Sequence, residues 1–165
     1  MPRVDYDLKD DVAELDVSPR ILGLRWFRID GRRWSGNWDI TLSDQTPVDL
    51  TCYGDRSDMT LNCRGMILEN LLIDSRRGNI RISIGDMSGT VKISLEGEDA
   101  DFRLTAPEGS GIRVSGAENS AARLLERIGL VETDGYYITE GYDTLSPQIE
   151  LNLSPEMSRF SLDFQ

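Results

Sequence analysis

Three consecutive stretches carry the same apolar spacing: Leu50, Cys52, Met59 and Leu61 recur as Leu71, Ile73, Ile80 and Ile82, then as Ile93, Leu95, Phe102 and Leu104, at offsets of 21 and 22 residues. Leu151, Leu153, Phe160 and Leu162 repeat the internal spacing later in the chain, and Tyr6, Leu8, Leu15 and Val17 repeat it earlier. In each copy two alternating apolar residues, a six-residue interval and two more alternating apolar residues follow one another. Alternation is the period of a strand. A near-constant period with no helical linker between copies predicts stacked rungs, each burying its apolar side only against its neighbours. The expected fold is therefore mainly β: a single-domain parallel β-solenoid over residues 1–165, with one short helix and about five to seven rungs.

Two segments depart from the repeat. Residues 18–47 interrupt it with five arginines, counting Arg20, and with Trp26, Trp34 and Trp38. Arg25, Trp26, Arg28, Arg32, Arg33 and Trp34 form a basic and aromatic island on an acidic chain, which makes them the candidate interaction surface for an acidic partner or lipid headgroups. The competing expectation is a loop folded over the side of the stack, its tryptophans packed and its arginines paired with surface carboxylates. Residues 118–129 read as a helix insertion: Ala121, Leu124, Leu125 and Ile128 share one face, Asn119 or Ser120 suits the N-cap and Gly129 suits the stop.

Chemistry is constrained mostly by what the composition omits. The chain of 165 residues has no histidine, which removes the commonest general bases and triads. No P-loop, dinucleotide fingerprint or nucleophile elbow occurs. A carboxylate pair could still converge from the 29 acids, but the expectation is no enzyme, no catalytic residue and no cofactor. Two cysteines without histidine make a poor metal set. Cys52 and Cys63 stand where neighbouring copies have Ile73 and Ile84, so both are expected to face inward as small hydrophobes. Asp58, Asn79 and Asp101 share one register in the turns and would stack into a ladder. Calcium binding and direct support of the turn backbone both suit such a ladder.

A formal charge of −11 repels phosphate backbones, so no nucleic-acid partner is expected. No stretch approaches the roughly 20 apolar residues of a membrane span, and Met1-Pro2-Arg3-Val4-Asp5 lacks the apolar core of a secretory signal. That predicts a soluble chain without a transmembrane segment, cytoplasmic if it is full-length. Alternation at both ends leaves edges that could pair, so a monomer or weak homodimer through the solenoid ends is expected.

The turns Gly54-Asp55-Arg56-Ser57-Asp58, Ser75-Arg76-Arg77-Gly78-Asn79 and Gly97-Glu98-Asp99-Ala100-Asp101, set between repeated apolar pairs, resemble degenerate forms of the Gly-Ala-Gly-Asp turns of the bacterial toast-rack domain. Trp38-Asp39-Ile40, Pro47-Val48-Asp49-Leu50, the segment from Met66 to Ile73, Gly111-Ile112-Arg113-Val114, Gly135-Tyr136-Tyr137-Ile138 and Gly141-Tyr142 follow in family order, so that the resemblance spans about residues 38–165. That domain forms the C-terminal part of LiaF-like cell-envelope stress regulators and of related membrane-anchored proteins. The resemblance implies a non-enzymatic, cell-envelope-associated soluble domain that contacts a membrane or envelope protein, on a side of the membrane it does not specify. LiaF-like proteins restrain a membrane sensor kinase until the envelope is damaged. In the family the domain usually follows a membrane segment, which implies that this chain is an excised soluble region. A surface adhesin-like or self-assembling structural β-solenoid is the alternative.

Overall fold

The computed structural model describes residues 3–9, 12–18, 47–56, 58–86 and 89–165. The chain divides into two compact units, Met1–Ser43 and Asp44–Gln165, and the division falls inside the expected interruption. In the first unit, β1 (Arg3–Lys9) and β2 (Val12–Ser18) pair antiparallel, with Tyr6 opposite Leu15 and Leu8 opposite Ala13. The expected early copy of the repeat is thus a hairpin. Alternation is the same for either strand direction, but two residues between strands can only reverse the chain.

The second unit holds a nine-stranded mixed sheet and one short helix. Its strands are β3 (Val48–Asp55), β4 (Met59–Cys63), β5 (Leu68–Ile84), β6 (Thr90–Ala106), β7 (Gly111–Ser115), β8 (Val131–Thr133), β9 (Tyr136–Ile138), β10 (Gln148–Leu153) and β11 (Arg159–Phe164). One path runs β3-β5-β6-β10-β7-β9-β8, while β4 pairs with β5 and β11 with β6. Every pair that joins copies of the repeat is parallel. Leu50 lies opposite Leu71 and Leu71 opposite Ile93; Met59 lies opposite Ile80 and Ile80 opposite Phe102. The last copy completes the pattern, with Leu151 opposite Ile93 and Phe160 opposite Phe102. The wholly parallel solenoid expected from the repeat is replaced by a mixed sheet, because β9 runs antiparallel to both β7 and β8. Asp134 and Gly135, at φ 51° and 80°, supply the tight reversal that makes the β8–β9 hairpin.

β5 and β6 are 17 residues each, about three times the usual strand length, because each contains a bend and contributes to two rows of pairing. The spacing explains the bend. Ile73 and Ile80 are seven residues apart, an odd offset that would put them on opposite faces of a straight strand. Both are buried in the same core cluster. One residue in each bend, Arg56, Arg77 or Asp99, adopts a left-handed backbone (φ 52°, 54° and 57°), and this rotates the chain so that both halves of the copy face inward. The resulting core contains Leu71, Ile73, Ile80, Ile82, Ile93, Leu95, Phe102, Leu104, Leu151, Leu153, Phe160 and Leu162. Cys63 is buried and Cys52 half-buried, both are free thiols, and they lie opposite Ile84 and Ile73 as the repeat predicts.

The helix α1 (Asn119–Arg127) lies where its periodicity places it and buries Ala121 and Leu125. Its N-cap is Glu118 rather than Asn119 or Ser120, without a side-chain capping bond; Asn119 itself has φ 49°. Its end follows the expected Gly129 stop. Leu130 N–H donates to Leu125 O at 3.0 Å and Gly129 N–H to Glu126 O at 3.1 Å, the paired bonds of a Schellman motif. Leu130 and Leu125 are both buried, supplying the apolar contact that accompanies it.

Candidate functional site

The six expected surface residues, Arg25, Trp26, Arg28, Arg32, Arg33 and Trp34, lie outside the described residues. The described residues of the polar turns, however, are aligned by the sheet register. Parallel pairing sets Gly54 opposite Ser75 and Ser75 opposite Gly97, and it continues to Asn79 opposite Asp101. The bends of successive copies therefore stack into one exposed ridge.

Its contacts run from copy to copy. Asp58 Oδ1 accepts both the backbone N–H of Asn79 at 3.0 Å and its side-chain amide at 2.8 Å. Arg56 N–H donates to Arg76 O at 2.6 Å, and Asp99 N–H donates to Glu156 O at 3.3 Å. Arg76 Nε stands 4.0 Å from Glu98 Oε2 with both side chains about two-thirds exposed, a pair that water screens to little energetic weight. Of the two readings of the ladder, the Asp58–Asn79 bonds are those of turn support. No cluster of three metal-ligating side chains occurs among the described residues.

Beneath the ridge the bends are tightly filled. A Cβ on Gly97 would lie 2.7 Å from Ser75 O and 3.0 Å from the Phe102 ring. Ser75 is fully buried, and among the described residues its Oγ finds no hydrogen-bond partner. On the outer face of the second row, Thr60, Arg81, Arg103 and Ser161 stand side by side, and Arg103 Nε lies 3.6 Å from Asp163 Oδ2. A similar row on the first half carries Asp49, Asn70, Lys92, Glu150 and Arg113, with Asn70 Nδ2 donating to Asp49 at 2.6 Å. The ridge and these rows form a polar surface of fixed spacing suited to contacts, since the core-facing positions are all occupied by packing.

One feature has no counterpart in the sequence reading. Arg113, on β7, lies across the ring of Tyr136 with its guanidinium carbon 3.9 Å from the ring centre, beside a cleft bounded by the short 3-10 turn Tyr142–Thr144. Burial pushes the Tyr142 phenol above its ordinary pKa, with Glu150 adding to the rise and Arg113 opposing it. The tyrosines and the arginine are far apart in the chain; the segments that carry them follow in family order, but that order does not say that they meet.

The structure is thus a mixed-sheet β domain in which repeated polar bends stack in parallel register. The chain belongs to the family of the N-terminal domain of toast_rack, DUF2154, which matches residues 1–98. The toast-rack resemblance is thus borne out, although the matched span starts earlier than residue 38 and ends within β6. The fold is also similar to that of a protein from Clostridium sporogenes, described as a "putative cell adhesion protein", with a TM-score of 0.70 and 18% identity over 99% of this chain and 76% of that one. At this identity the likeness concerns the fold alone. No curated protein matches the chain.

Proposed function

We propose that this chain is a non-enzymatic interaction domain of a bacterial cell-envelope protein, and that it holds a membrane or envelope protein partner along its stacked turns. The observation that carries this reading is the register of the ridge: parallel strand pairing sets the backbone of its polar residues at the spacing of the sheet. A rigid polar surface loses little entropy on binding, and charge arranged this way favours selection of a complementary partner. Membership of the toast-rack family supports the envelope setting. The parallel rungs are read as a short solenoid-like stack, and the aromatic and basic segment around Arg25, Trp26, Arg28, Arg32, Arg33 and Trp34 as a second contact region.

An adhesive role is the second reading, favoured by the fold shared with the Clostridium sporogenes protein. Capture from membranes of the source organism separates the two. The intact chain is compared with an Asp55→Ser, Arg76→Ser, Glu98→Ser ridge variant and with a Trp26→Ala, Arg28→Ala, Trp34→Ala variant, each first shown to melt at the parent temperature. A single membrane protein retained by the parent and lost by either variant supports the regulatory reading. Retention of cell-wall polymer instead supports adhesion, and equal capture by all three forms sinks both contact assignments. Light scattering at two concentrations tests the associated expectation of a monomer or weak homodimer.

A further inference from the structure

We propose that the cleft between β7, β9 and the Tyr142–Thr144 turn is a binding site for a carboxylated sugar, a hexuronic acid residue of an acidic glycan. The inference goes beyond a protein-binding ridge and does not depend on it. The cleft is an open depression of about 370 Å³, lined by Arg113, Ile138, Thr139, Tyr142, Asp143 and Thr144 among others. A space of this size is in the range of small-molecule sites.

Its chemistry is set by Arg113. The guanidinium is held over the ring of Tyr136, which restrains its donors before any ligand arrives. Among the described residues it makes no ion pair, and its buried Nε has no acceptor. Glu150 is its in-register neighbour on β10, yet it forms no ion pair with Arg113. Nε itself is closed to solvent, so a carboxylate presented from the cleft would meet the terminal Nη groups, in the planar two-bond geometry that arginine favours.

The rest of the lining argues for a sugar acid rather than an acidic peptide. Asp143, exposed at the rim, opposes a second negative charge but accepts hydrogen bonds from hydroxyls. Thr139 Oγ1 accepts the Ile112 N–H at 3.1 Å, which leaves its own hydrogen to donate. Tyr142 and Ile138 supply apolar surface for the C–H edges of a ring. One cation, one anion, a hydroxyl donor and an aromatic wall match a ligand with one carboxylate and several hydroxyls. The wall is firmly placed: Gly111 N–H donates to Pro147 O at 2.9 Å, Thr139 N–H donates to Ile112 O at 2.9 Å, and Gln148 Nε2 donates to Tyr142 O at 3.1 Å.

The test is an amide chemical-shift titration of the full chain with sodium D-glucuronate, D-glucose and N-acetyl-aspartate amide. Glucuronate is expected to shift the amides of Thr139, Gly141, Asp143 and Thr144, glucose and the aspartate derivative to do so at least tenfold more weakly, and Arg113→Gln to abolish the response. Asp143→Asn, an exposed change that leaves packing intact, is expected to narrow the preference for glucuronate over the aspartate derivative severalfold, since both ligands are relieved of the same repulsion and only glucuronate loses an acceptor for its hydroxyls. Equal response to glucuronate and glucose, a stronger response to the aspartate derivative, or no response from the folded parent would overturn the proposal. Should Arg113→Gln fail to fold, the Asp143→Asn arm and the three-ligand comparison still decide it.

Discussion

Asp58 and Asn79, 21 residues apart, are joined by two hydrogen bonds to a single oxygen: Asp58 Oδ1 accepts the Asn79 backbone N–H at 3.0 Å and its side-chain amide at 2.8 Å. The first turn is thereby fastened to the second. Replacing Asp58 with alanine removes both bonds and is expected to cost about 1–2 kcal/mol in urea unfolding, with Asp58→Asn costing less because one acceptor remains. Calcium is expected to leave the melting temperature of the parent unchanged, since the carboxylate already supports the turn. A calcium-dependent rise lost in Asp58→Ala would show that the ladder holds a cation.

Arg77 occupies the left-handed region at φ 54° and is exposed. A side chain with a Cβ is disfavoured there by about 1–2 kcal/mol, whereas glycine is not. Arg77→Gly is expected to raise stability by roughly 1 kcal/mol, offset in part by glycine's greater freedom in the unfolded chain. Asp99→Gly should gain less, because aspartate tolerates this conformation better. Denaturation midpoints of the two variants, compared at equal m-values, check the order.

Ser75 and Gly97 face each other across the bend between β5 and β6, and they predict opposite responses to alanine. Gly97→Ala places a Cβ 2.7 Å from Ser75 O in a filled space, so a loss of about 1–3 kcal/mol is expected. Ser75→Ala removes a buried hydroxyl that has no partner among the described residues, and it should be neutral or stabilising by up to about 1 kcal/mol. Thermal unfolding of the two variants distinguishes them; destabilisation by Ser75→Ala would mean that the hydroxyl is bonded in solution.

Burial, reinforced by the nearby Cys52, pushes the Cys63 thiol up from 9.0 to about 11. The folded state favours the protonated form, so this contribution to stability is complete below pH 9.0 and is lost as pH rises toward about 11. Melting temperature measured between those limits should fall more steeply for the parent than for Cys63→Ala. Parallel pH slopes in the two proteins would refute the assignment. Native Cys63 should also resist thiol reagents at neutral pH until the domain opens.

Much of the parallel register was legible beforehand because it rests on spacing alone. The offsets of 21 and 22 residues that align Leu50 with Leu71 and Leu71 with Ile93 are the observed strand pairings, since one misplaced residue would turn every apolar side chain out of the core. The helix was equally readable, from its apolar face and from Gly129. Its N-cap was not, because Asn119 takes φ 49° and Glu118 takes the extended cap position. The hairpin of β1 and β2 escaped the reading for a different reason: alternation carries no strand direction.

The Arg113 cleft shows where local information ends. Gly111-Ile112-Arg113-Val114 and Gly135-Tyr136-Tyr137-Ile138 were legible as motifs of the resemblance, and nothing in either segment says that they pair antiparallel and bring Arg113 onto Tyr136. By itself, then, the sequence determined a mainly β chain, the repeat length, the inward-facing residues and the polar bends, because burial and alternation act within a strand and its nearest copies. Only the tertiary structure decided the mixed strand direction, the hairpin at β8 and β9, and the meeting of Arg113, Tyr136 and Tyr142. Those depend on which distant segments compete successfully for the same sheet edge, a free-energy difference that no single segment encodes.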